Sequence, residues 1–134
     1  LANGYYRYKP AYLNYFPVPN VEIQTEQSLA RLARYSMLLK GHQKKLIEVF
    51  FVQVIDGLVF EIYFPEEIKK AGKEILEHIG DLKPLKEEMS EEEKLAIIEV
   101  EFDRLYDPSH PVRNHIETLD SVEVVRIIRS ALNK

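Results

Sequence analysis

From Val49 to Phe64 the chain is almost continuously apolar, interrupted only by Gln53, Asp56 and Glu61. A segment of this kind must be enclosed by other parts of the protein, so it limits what the rest can be. Its Val, Ile, Phe and Tyr content also suits a pair of strands. Length decides between the two: Leu46 to Phe64 is longer than a usual strand and ordinary for a helix. Ile47, Phe51, Val54, Ile55, Leu58 and Ile62 then fall on one broad face of it. The interruptions make it too short and too polar to cross a bilayer. Pro65 ends this helix or opens the next one at its first position.

The flanking sequence carries further helical patterns. Thr25 is the expected N-cap of a helix that turns Leu29, Leu32, Ser36 and Leu39 inward and Arg31, Arg34 and Lys40 outward. Gly41-His42 marks a break or a tolerated interruption. Ile68, Ala71, Ile75 and Ile79 make the stripe of a third helix, with Glu66 and Glu67 in its first turn and Gly80 as its C-terminal cap. Ser90 with Glu93 spells a capping box ahead of Leu95, Ile98, Phe102 and Leu105. Asp107-Pro108 closes that helix, and a short helical turn near 109–111 carries Val112 and Ile116. Asp120 with Glu123 resembles a second capping box, before a last helix bearing Val124, Ile127, Ile128 and Ala131. The fold class expected is mainly α: about five helices in a compact bundle over residues 24–134, preceded by an irregular or short-strand arm over residues 1–23. The arm holds five of the eight tyrosines and three prolines, Pro10, Pro17 and Pro19, which deny it a long helix.

Composition narrows the function. The chain has 134 residues with 18 basic and 22 acidic side chains, a formal net charge of -4. That is the balance of an ordinary soluble domain rather than of a free-standing nucleic-acid binder, though it permits a local basic patch. The absence of cysteine excludes disulfides and thiolate metal sites and makes a reducing cytoplasm the expected compartment. The first residues lack the apolar centre of a signal peptide. With no Met at its start, the sequence is expected to be a fragment of a longer protein.

No catalytic pattern emerges. The glycines form no phosphate loop, and the serines sit in helical or capping contexts without a nucleophile elbow. Glu92 and Lys94 match half of a nuclease carboxylate-lysine motif but belong to the first turn of a charged helix, where surface chemistry is expected. His110 and His115, with Asp107 nearby, have no recognised ligand spacing, and capping or surface hydrogen bonding is expected of them. His42 and His78 are isolated. Asp56 is read as a structural carboxylate on a polar edge, because an unpaired buried charge is costly. The candidate DNA contacts are Tyr5, Tyr6, Arg7, Tyr8 and Lys9, which interleave rings with cations, and the basic cluster Lys40, Lys44 and Lys45 beside His42. For both groups, packing or ordinary exposure is preferred on sequence alone.

Three segments together carry a resemblance: residues 4–19, with Tyr5-Tyr6-Arg7-Tyr8 and Pro17-Val18-Pro19; residues 55–64, with Ile55, Asp56, Leu58 and Tyr63; and residues 106–113. They resemble the C-terminal region of adenine-specific DNA methyltransferases of restriction-modification systems, above all the large fused enzymes of the Eco57I type. The resemblance implies the end of a target recognition domain followed by a helical tail. It also implies that S-adenosylmethionine and both catalytic activities belong to an N-terminal part, since the methyl-donor loop and the Asn-Pro-Pro-Tyr motif are absent from this chain. The chain itself is expected to hold no cofactor. The expected partners are the remainder of the parent methyltransferase and, through it, double-stranded DNA; a homodimer is a further option and a membrane is not. The alternative is a helical protein-interaction or dimerisation module with no nucleic-acid role, in which the apolar segment 49–64 and the tyrosine arm form a dimer or interdomain surface.

Overall fold

The computed structural model describes residues 22–133. Among these the chain forms seven α-helices: α1 (Ile23–Leu39), α2 (Lys45–Tyr63), α3 (Pro65–Ala71), α4 (Leu76–Ile79), α5 (Glu91–Leu105), α6 (Pro111–Glu117) and α7 (Glu123–Leu132). A 3-10 turn, Leu119–Ser121, precedes α7. No strand occurs among the described residues, so the choice of helix over a strand pair for the apolar segment holds. The expected bundle is there, with more and shorter helices than five.

The central helix α2 organises the rest. Phe51, Val54 and Leu58 are fully enclosed, and with Leu32, Tyr35 and Leu39 of α1 and Ile98, Phe102 and Leu105 of α5 they form the main core. Aromatic rings fill much of it. Tyr35 meets Phe51 edge-on at 5.4 Å, and Phe50 meets Phe102 edge-on at 5.5 Å. A second, smaller core lies at the C-terminal end of α2, where Phe60 joins Ile68 of α3 with Leu119, Val122 and Val125.

Several local expectations change. α1 begins at Ile23 with Glu22 in the cap position and no side-chain cap; Thr25 is buried inside the first turn instead. Arg31 is not turned away: its guanidinium donates to the Leu82 carbonyl at 2.8 Å. The single third helix is two helices, because Gly72 takes a left-handed φ of 70° at the C-cap of α3. That conformation is cheap only for glycine. Ile68 and Ile75 are both buried, while Ala71 is exposed. Glu61 of α2 then caps α4 from across the bundle, accepting from the Ile75 amide at 2.6 Å. The Ser90–Glu93 capping box is present in both directions. Asp120 caps nothing; α7 starts at Glu123 without a side-chain cap, and Val125 rather than Ile127 enters the core.

The connection between α4 and α5 is an extended strap clasped by three side chains. Arg31 holds the Leu82 carbonyl, Tyr35 donates its hydroxyl to the Lys83 carbonyl, and Glu101 accepts from the Lys83 amide at 3.3 Å. Glu101 is buried but paired: Arg104 donates to it at 3.1 Å. Burial and the Glu101 carboxylate push the Tyr35 hydroxyl well above its ordinary value, so it remains a donor.

Candidate functional site

The sequence singled out three groups of residues. Tyr5, Tyr6, Arg7, Tyr8, Lys9, Pro17 and Pro19 lie outside the described residues. The basic cluster lies at the α1–α2 connection, where α5 meets it with acids. Lys44 is paired with Glu99 at 2.7 Å and His42 with Glu91 at 2.9 Å. Lys40 and Lys45 remain exposed. Two of the four basic groups are therefore spent on α5, which weakens the cluster as an anion-binding patch.

The four motif residues of α2 divide between core and surface. Leu58 is fully buried, Ile55 and Tyr63 are half-buried, and Asp56 sits on the exposed side. Asp56 accepts from Arg129 of α7 at 2.9 Å, and the other arm of Arg129 reaches Asp120 at 2.5 Å. The carboxylates hold the guanidinium above its ordinary value against its own partial burial. The structural role expected for Asp56 is the one found, with Arg129 as the partner that sequence did not supply.

The alternative reading of the sequence offered residues 49–64 as an association surface, and the exposed apolar residues of that segment lie on the outer side of α2. The core side of this helix is filled, yet its opposite side is also apolar. Leu46, Val49, Val52 and Val59 are all exposed, Val52 at 50%. Spacings of three, four and seven residues put Val52 and Val59 with half-buried Ile55 and Ile62 on one stripe, bordered by Glu48 and Tyr63. Met37 of α1 adds another exposed apolar side chain at 69%. Elsewhere around the N-terminal half of α2, an open groove of about 260 Å³ is lined by Leu46, Val49, Phe50, Gln53, Tyr106 and Arg113. The Arg113 guanidinium lies over the Tyr106 ring at 3.8 Å and donates to the Tyr106 carbonyl at 2.6 Å. Tyr106 in turn stacks on Phe102 at 4.7 Å. The helical pattern recorded only the core side of α2; the exposed valines were legible as an excess of apolar positions beyond one face.

No reacting constellation forms among the described residues. Glu92 is exposed at the start of α5 with Lys94 beyond it, as expected of surface charge. His110 caps α6, and His115 Nδ1–H donates to the Glu74 carbonyl at 2.6 Å. Among the described residues no group of three His, Asp or Glu side chains is placed to hold a metal ion, and no helix is long and apolar enough to cross a membrane. No family model matches the chain, and neither a curated protein nor a solved structure matches it.

Proposed function

We propose that the chain is a non-catalytic helical docking module of a DNA restriction-modification protein. Its bundle packs, through the outer face of α2, on the remainder of a larger adenine methyltransferase and supports that enzyme's hold on double-stranded DNA. The observation that carries the docking role is α2 itself. Apolar residues on a helix are ordinarily turned to a core or a partner, and here Val49, Val52 and Val59 face outward. Contiguous apolar surface on a soluble domain marks an interaction site. The restriction-modification context rests on the resemblance of residues 4–19, 55–64 and 106–113. S-adenosylmethionine belongs to the rest of that enzyme in this proposal.

Self-association is the competing use of the same face. Light scattering of the isolated chain over a range of concentrations separates the two. A monomer at all concentrations agrees with docking on a different surface, whereas a dimer lost in Val52→Glu favours self-association. DNA contact is a separate part of the proposal, assigned to Arg7 and Lys9 with Lys40 and Lys45. Fluorescence anisotropy with random duplex DNA at low and moderate salt tests it. Alanine at Arg7 and Lys9 in the full protein should weaken binding; unchanged affinity at low salt removes the arm as a contact.

A further inference from the structure

Three imidazoles and a guanidinium meet where α4, the last turn of α5 and α6 come together. His78 of α4 and His115 of α6 stand edge to face at 5.4 Å. His115 is fixed through Nδ1 to the Glu74 carbonyl at 2.6 Å, just before α4. Arg104 of α5 lies close enough to Gly80 that a Cβ there would sit 3.3 Å from its Nη1. His110 occupies the N-cap of α6, and its Nδ1 accepts from the Val112 amide at 3.1 Å. Acids facing the seam are already engaged or exposed. Glu101 holds Arg104, Asp107 is bonded to Ser109, Glu117 holds Arg113, and the exposed Glu77 is 3.4 Å from His78.

The cap fixes the protonation state of His110. Nδ1 must keep its lone pair to accept from Val112, so the ring is neutral with its proton on Nε2. An imidazolium has no acceptor and would set N–H against N–H at the first turn of α6. We propose that this seam is an acid-released latch: proton uptake at His110 Nδ1 removes the acceptor that caps α6 and adds charge beside Arg104 and His78, so that α6 lifts from α4 while the α1–α2–α5 core stays folded. Burial, with Arg104 and His78 nearby, holds His110 below its ordinary value, against the opposing pull of Asp107. The consequence reaches the groove on α2. α6 carries Arg113, so its release uncovers Tyr106 and the Phe50 ring 5.1 Å away.

The latch is tested by amide hydrogen exchange on the full chain at about pH 7.5 and about pH 5.5, corrected for intrinsic exchange. Protection of Val112 to Glu117 should fall several-fold, by up to ~10-fold, on acidification while α2 and α5 amides hold. His110→Ser keeps a capping oxygen that does not titrate, so its α6 protection should be nearly flat with pH. His110→Ala should expose α6 at both pH values. Unchanged α6 protection in the wild type, or the same fall in His110→Ser, overturns the proposal.

Discussion

Asp56 and Arg129, 73 residues apart, meet at 2.9 Å and tie the last helix to the middle of the central one. The contact shares Arg129 with Asp120, so one guanidinium from the last turn of α7 grips both α2 and the 3-10 turn that precedes α7. All three side chains are substantially exposed, and exposed pairs contribute only about 0.2–1 kcal/mol each. Arg129→Ala should therefore lower stability by about 1 kcal/mol, read as a shifted urea midpoint with an unchanged slope. The loss should shrink in high salt. It should also raise exchange in α7 ahead of the core helices.

Gly57 sits where α2 approaches the α3–α4 connection and the 3-10 turn. A Cβ there would lie 2.3 Å from Ile75 Cδ1, a side chain with no exposure of its own, and 3.9 Å from Leu119. Gly57→Val adds three carbons to that space and should cost about 1–3 kcal/mol through overpacking, despite the gain in helix propensity. Thermal unfolding followed by circular dichroism measures it. A variant as stable as the parent would mean that Ile75 has room to move.

The capping box gives a local contrast. Ser90 accepts from the Glu93 amide at 3.1 Å, and Glu93 accepts from the Ser90 amide at 3.2 Å. Ser90→Ala should cost about 0.5–2 kcal/mol, and Ser90→Gly only a few tenths. Equal losses in the two variants would assign the effect to something other than the cap.

Acid should destabilise the chain in two windows. His110 is held below its ordinary value of 6.5, so the folded state binds its proton less readily than the unfolded chain. Its contribution is complete above that value and erodes as pH falls through it toward the depressed native value. Asp107 is held below its ordinary 3.8 by the hydroxyl and amide of Ser109. Its contribution is complete above that value and is lost on further acidification. Urea midpoints across the acid range should fall first in the histidine window, and that first fall should vanish in His110→Ser.

These contacts divide into those a sequence can spell and those it cannot. The Ser90–Glu93 box and the Pro65 start are short-range and were readable, as was α2 from its length. The Asp120–Glu123 spacing was equally suggestive, but Arg129 takes Asp120 from outside the local pattern. Ile68 and Ile75 have helical spacing and are both buried, yet they reach the core on either side of the left-handed Gly72. Periodicity reports the burial and not the break. The basic cluster suffered from the same blindness, since Glu91 and Glu99 lie on a helix some fifty positions away in chain and beside it in space. The exposed valines of α2 were visible as letters; only the packing of the opposite side revealed that nothing described covers them.

That open face is the centre of the account, and the lack of cysteine makes it directly measurable. Val52→Cys, made in the isolated chain and in the full-length methyltransferase that the proposed function calls for, places a site-specific thiol on the stripe of a chain with no other cysteine. Its alkylation rate, read by peptide mass spectrometry, should drop by at least ~10-fold in the full-length protein relative to the isolated chain, while Glu92→Cys on exposed α5 reacts equally in both. Equal rates for Val52→Cys in the two settings would contradict docking through α2.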